Sequence, residues 1–157
     1  MNINVASSET AIAGSRTRPA FVYRHVVSFE ETNVVGNVYF TRHISWQGRC
    51  REMFLKENAP DILGEINRDL RFVTLRVSCE YFRELNALDE IEVQMTLAHL
   101  RQHRIGLEFR LIKLASSGGL LAASGLQEVA CMRVNGSGLV AALPPASLVA
   151  ALKRFAG

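Results

Sequence analysis

The chain predicts an α+β domain of two layers, a curved antiparallel sheet wrapped around one long central helix. Three observations carry that prediction. A 3.6-residue apolar period holds from about Tyr39 to Asn58, and Pro60 enforces a stop. Beyond Val73 the period changes to two and persists through several runs separated by short turn signals. Only one long helical stretch is present to cover the apolar face that such a sheet presents.

Taken in order, residues 21–29, "FVYRHVVSF", are rich in β-branched and aromatic types and read as a strand. "EETNVVGN" follows as a loop with Gly36 and two asparagines, and then comes the long helix. Gly48 lies at the edge of the helix's apolar face, where a missing side chain would let backbone and sheet approach closely. Residues 61–69 read as irregular. Val73, Leu75, Val77, Cys79 and Tyr81 then alternate with polar neighbours, up to a turn at "NALD", residues 86–89. Ile91, Val93, Met95 and Leu97 form the next alternating set, and "RQHR" turns into Ile105, Leu107, Phe109 and Leu111. "SSGG" breaks that strand, an apolar run covers 120–134, and "NGSG" ends it. "PPASLVAALKRF" reads as a short terminal helix with proline at its start. Tight turns predict antiparallel neighbours. One helix cannot cover so many strands, so a dimer that extends the sheet is expected.

The 157 residues suit one domain, assigned to 20–157, behind a flexible tail over 1–19 rich in Ser, Thr and Ala. The start has no charged-then-apolar pattern of a secretory signal, and no apolar run is long enough for a membrane span, so a cytoplasmic location is expected. Cys50, Cys79 and Cys131 lie far apart, which argues against disulfides or a zinc site and for buried small hydrophobes. The net charge of +3 is mild and forms no basic block, which speaks against nucleic acid.

The informative stretch is the long helix. Phe40, Ile44, Phe54 and Leu55 define its apolar face, and His43, Gln47 and Arg51 fall on that same face. Arg42 and Arg49 fall on the polar face beside Ser45, Glu52 and Lys56. A cation on the sheet side is costly unless it is paired, or unless its long stem carries it out to water. Asn33 is open to two readings, a turn residue before a glycine or a site residue. Asn37 reads as a cap or turn residue. Glu31 and Glu80 are the carboxylates of interest, with Glu80 placed to pair with Arg76 or Arg83 on its strand.

The string "TNVVGNVYFTRHISWQGRCREMF", with "SCEYFREL" (78–85) and "VACM" (129–132) downstream, resembles the hotdog-fold thioesterases similar to 4-hydroxybenzoyl-CoA thioesterase. Within them it is most similar to the thioesterases that accompany iterative enediyne polyketide synthases. "GNVYF", "WQGRCREMFL" and "CEYFREL" are its most specific pieces. One departure from the broader pattern is Asn33, where the hydroxybenzoyl-CoA enzymes hold an aspartate. An amide is neither a nucleophile nor a general base, so no covalent acyl-enzyme is expected.

The resemblance implies a thioester hydrolase in which Asn33 and Arg51 are the catalytic pair. The helix start, Val38, Tyr39 and Phe40, would supply oxyanion donors, and His43, Trp46 and Gln47 would line the substrate. It implies release of a long polyene β-ketoacyl chain from the acyl-carrier domain of the synthase, followed by decarboxylation. It implies no metal or organic cofactor, and the charge and apolar-run lengths above predict no nucleic acid and no membrane. A homo-oligomer is expected, a dimer and then a homotetramer built as a dimer of dimers. The alternatives are a non-catalytic acyl-CoA or acyl-carrier binder and a general acyl-CoA thioesterase.

Overall fold

The computed structural model describes residues 19–157, so the expected tail lies outside the described residues except for Pro19. The strand β1 (Phe21–Val26) leads through a 3-10 turn (Phe29–Glu31) to α1 (Phe40–Asn58) and α2 (Pro60–Ile66). Then come β2 (Leu70–Tyr81), β3 (Glu90–Arg101), β4 (Arg104–Ala115), β5 (Gly118–Asn135), β6 (Gly138–Ala141) and α3 (Ala146–Lys153). The strands form one antiparallel sheet in the order β1-β3-β4-β5-β2, and β6 pairs with β5. The helix α1 packs against β1, β2, β3 and β5, as the sequence predicts.

Three features of the elements and their pairing differ from the sequence reading. Residues 60–66 are a helix rather than irregular, because Pro60 both ends α1 and occupies the first turn of α2, where its missing N–H costs nothing. "NGSG" does not simply end β5 but turns it into the hairpin partner β6. There the Ser137 N–H donates to Asn135 Oδ1 at 2.8 Å, and Gly138 adopts φ 108°. The "NALD" turn does not make β2 and β3 neighbours. Its backbone docks on the end of β1 instead: Leu88 N–H donates to Val27 O at 2.7 Å, and Val27 N–H donates to Asp89 O at 2.9 Å. So β3 runs beside β1, and β2 crosses to β5 at the opposite edge.

The core is centred on α1 and the inward side chains of β1, β3, β4 and β5. Phe21, Phe54 and Phe155 meet edge to face with centroids 5.6, 5.8 and 6.0 Å apart, which ties α1, β1 and the C-terminal segment together. Cys50 and Cys131 are buried and Cys79 half-buried, all as free thiols, and burial pushes the Cys50 thiol up to about 12. Gly48 does not bring α1 close to the sheet, since an added Cβ there would meet no heavy atom within 4 Å. No described helix is long and apolar enough to cross a membrane.

Among the described residues, no strand pairs with the outer edge of β2. Leu75, Val77, Tyr81 and Phe82, on or beside that edge, are exposed although most of the alternation that produced them is apolar. Phe40, assigned from helical phase to the apolar face, is 55% exposed. It stands at the first position of α1, with its ring 4.7 Å from that of Tyr39.

Candidate functional site at the start of the long helix

The segment between β1 and α1 is fixed by one buried carboxylate. Glu31, 7% exposed, accepts hydrogen bonds from the Trp46 indole N–H at 2.7 Å, from His25 Nε2 at 2.8 Å and from the Ser28 N–H at 2.8 Å. Burial alone would raise its pKa, but the bonds from Ser28, Trp46 and His25 outweigh burial and bring it down to about 2. Trp46 is thereby a core residue, 2% exposed between the rings of His25 and His43, and not a wall of a cleft.

Asn33 opens the turn that leads to the helix. Its Oδ1 accepts the Val35 N–H at 3.0 Å, and its Nδ2 donates to Asn37 Oδ1. Its backbone O accepts the Gly36 N–H at 3.0 Å, and Gly36 adopts φ 90°. The amide is exposed and keeps one N–H beyond these local bonds. Asn37 does not cap α1. Its Nδ2 donates to Glu84 Oε1 at 3.1 Å, which links the turn to the segment after β2.

Of the three expected oxyanion donors, Phe40 keeps its N–H and the other two do not. The Val38 N–H is donated to Leu85 O at 2.7 Å and the Tyr39 N–H to Glu31 O at 3.0 Å, so neither is free. Among the described residues, the unclaimed N–H groups at the helix start are those of Phe40 and Thr41. Phe40 borders a pocket lined also by Asn37, His43, Tyr81, Arg83 and Glu84. The Tyr81 hydroxyl donates to Phe40 O at 2.8 Å, and its ring meets His43 edge-on at 4.8 Å. His43 is buried, with Nδ1 in no hydrogen bond. Burial lowers its pKa, against the smaller opposing effect of the Phe40 and Tyr39 carbonyls. It is therefore a neutral imidazole on the pocket wall.

Arg51 lies elsewhere. It borders an apolar cavity with Phe54, Leu55, Phe72, Leu107 and Leu152, between α1, the sheet and α3. Among the described residues it pairs with no carboxylate. Its Nη1 donates to Gln127 Oε1 at 3.0 Å, and burial lowers its pKa from the usual value. Gln127 Nε2 donates to Gln47 Oε1 at 3.3 Å, and Gln47 Nε2 to Ser78 O at 3.3 Å. Gln47, fully buried, therefore reaches Arg51 only through Gln127.

The polar face of α1 is less uniform than its phase implies. Arg49 is exposed, but Arg42 is half-buried and donates to Glu30 O at 3.2 Å. Glu80 pairs with neither Arg76 nor Arg83 among the described residues and faces a depression on the outer side of the sheet beside Glu108 and Arg110. Gln127 was the polar residue the sequence reading missed. Its signal is parity: it shares the inward phase of β5 with Ala123, Gly125, Val129 and Cys131.

Within one chain the site residues form two groups. Asn33, Phe40 and His43 gather at the start of α1, and Arg51 stands eight residues beyond His43, roughly 12 Å along the axis.

Comparison with known proteins places these features in context. The chain matches the model of the thioesterase-like superfamily over residues 27–152. Among solved structures it is similar to the dynemicin thioesterase, at 44% identity and a TM-score of 0.86, covering 88% of this chain and 99% of that one. It is similar in fold to 4-hydroxybenzoyl-CoA thioesterase from Pseudomonas sp. strain CBS-3, at 12% identity and a TM-score of 0.72, with 84% and 98% covered. The same holds for a 1,4-dihydroxy-2-naphthoyl-CoA thioesterase from Synechocystis, at 19% identity and a TM-score of 0.73, with 86% and 96% covered. No curated protein matches the chain by sequence.

Proposed function

The chain belongs to the thioesterase-like superfamily, with its hotdog fold and thioester hydrolase activity, and from that premise we propose a specific substrate: a long polyene β-ketoacyl thioester on the acyl-carrier domain of an iterative enediyne polyketide synthase. The observation that carries this reading is the 44% identity to a dynemicin thioesterase whose structures concern polyene binding. The half-buried Arg51, which among the described residues meets an amide and no carboxylate beside an apolar cavity, supports it, because a neutral saturated acyl chain gives no reason to keep a cation there.

Water attacks the thioester carbonyl carbon, and the C–S bond breaks as the oxyanion collapses. The carrier thiol leaves with a proton, and the β-keto acid is released. That acid then loses CO2 to leave a methyl ketone. The Phe40 and Thr41 N–H groups, aided by the helix dipole, are suited to the oxyanion. Asn33 supplies its spare N–H to the carbonyl or to the water, and His43 lines the approach. Arg51 holds the β-keto oxygen or the carboxylate.

These roles require Asn33 and Arg51 to face one substrate, although they are apart within one chain. A dimer resolves this. Pairing β2 edge to edge about a two-fold axis continues the sheet antiparallel and sets the two α1 helices antiparallel. The start of one helix then lies beside the far half of the other.

The test is mass spectrometry of products from a carrier-bound β-ketoacyl thioester and from the matching CoA ester. Free acid and methyl ketone formed faster from the carrier support the reading. Equal turnover of both would identify a general acyl-CoA thioesterase. With a soluble thioester, Arg51→Ala is expected to remove most activity from a folded protein. Arg51→Lys should not restore it, for want of a planar two-pronged contact. Arg49→Ala should leave it nearly intact. Equal losses at 49 and 51 would overturn the site assignment.

A further inference from the structure

We propose that Gln127 and Gln47 are positioning residues that hold the Arg51 guanidinium in place without neutralising it, so that its charge stays available to an anionic group of the substrate. The inference rests on Arg51 acting on substrate, as proposed above.

The chain of bonds has one direction. Arg51 can only donate, so Gln127 must turn its Oε1 toward Nη1, at 3.0 Å. That aims the Gln127 amide N–H groups at Gln47 Oε1, and the Gln47 N–H groups in turn at the Ser78 carbonyl, each at 3.3 Å. The last acceptor is backbone in the middle of β2 and cannot rotate away. Both glutamines are buried, at 5% and 0% exposure, so neither amide has water as an alternative partner. The seat for Gln47 is also specific. An added Cβ at Gly125 would lie 2.1 Å from Gln47 Nε2 and 2.8 Å from the Ser78 carbonyl oxygen, so only glycine leaves room there.

The choice of amide over carboxylate is the functional point. Beyond its bonds to Arg51 and Gln47, Gln127 has the apolar Leu107 and Val77 in register on the neighbouring strands. A glutamate at 127 would fit the same space and would form a strong charge-assisted pair with Arg51. That pair would satisfy the guanidinium and cancel its field. An amide fixes the geometry and leaves the charge uncompensated.

The experiment compares wild type, Gln127→Glu, Gln127→Met and Arg51→Ala, each checked for folding by thermal melting and gel filtration. Binding of octanoate and of its uncharged analogue octanamide is measured by calorimetry, and turnover on a soluble octanoyl thioester is measured alongside. Wild type is expected to prefer octanoate. In Gln127→Glu that preference should fall by about tenfold or more while octanamide binding stays within about threefold, and kcat should fall more than KM rises. Gln127→Met, which removes the acceptor but adds no charge, should lower kcat and keep part of the preference. A general packing defect would weaken both ligands together. An unchanged octanoate preference in a folded Gln127→Glu, or no preference in wild type, overturns the positioning role. Should Gln127→Glu fail to fold, wild-type kcat and preference in Gln127→Met overturn it equally. Full turnover by Arg51→Ala would instead overturn the catalytic reading of Arg51, which the binding ratios test separately.

Discussion

At Glu31 one carboxylate joins the 3-10 turn, β1 and α1 through Ser28, His25 and Trp46. Its backbone carbonyl also receives the Tyr39 N–H, so the geometry of the helix start depends on it twice. Its pKa falls from an ordinary 4.5 to about 2 on folding. The native state therefore binds the proton less readily than the unfolded chain, and the carboxylate adds stability that is fully present above pH 4.5 and lost as pH falls toward 2. Glu31→Gln is expected to cost roughly 1.5–3 kcal/mol at neutral pH, the range for hydrogen bonds to a charged group. Urea unfolding of both proteins across the acid range should show that gap closing between pH 4.5 and 2. A gap that persists unchanged at the acid end would mean that shape rather than charge is what Glu31 provides. The sequence marked Glu31 as a carboxylate of interest, but its partners lie 6 and 15 residues away in chain, on other elements, where no local pattern reaches.

The long helix was the most legible element, because a stripe at 3.6-residue spacing is a property of the chain alone. It put His43, Gln47, Phe54 and Leu55 on the buried face and Arg51 half-buried beside them. Strand order was less legible. Short turns state that two strands are close in sequence, not that they pair, and the docking of residues 86–89 on β1 is a tertiary event. The role of Gly125 was illegible for the same reason, since what it accommodates is the end of a side chain from α1. Gly125→Ala is expected to lower the melting temperature and to reduce activity, since backbone on one side and Gln47 on the other leave the new methyl no room. Gly64→Ala in α2 is the matched control: it meets no heavy atom within 4 Å, so it should raise stability by roughly 0.5–1 kcal/mol, the helix advantage of alanine over glycine. If both substitutions proved neutral, the close approach of Gln47 to β5 would not be a packing constraint in solution.

At the scale of the molecule, the described residues leave β2 with an open hydrogen-bonding edge and with Leu75, Val77, Tyr81 and Phe82 uncovered near it, a surface that soluble proteins seldom leave bare. The exposed Val34 and Val35 at the tip of the Asn33 turn add to the apolar surface without a partner. The two-fold pairing of β2 edges proposed above would cover the strand and, by reversing one α1 against the other, would offer the far half of each helix to the opposite Asn33 turn. The consequence is testable by complementation. In a dimer with shared sites, each site draws Asn33 from one copy and Arg51 from the other. An Asn33→Ala copy paired with an Arg51→Ala copy then contains one site with both substitutions and one with neither. Each variant alone is expected to be nearly inactive, with a loss of roughly 10²–10³ for a single donor such as Asn33. Co-expressed in equal amounts and mixed at random, the two should recover about a quarter of wild-type activity, since half of the molecules are mixed and each has one intact site of two. Light scattering on the same samples gives the assembly mass. Recovery near a quarter, with a mass of a dimer or a multiple of it, supports a site built across the interface. No recovery from a sample shown by tag-based purification to contain mixed dimers would place Asn33 and Arg51 in one protomer's site, or Arg51 outside the chemistry.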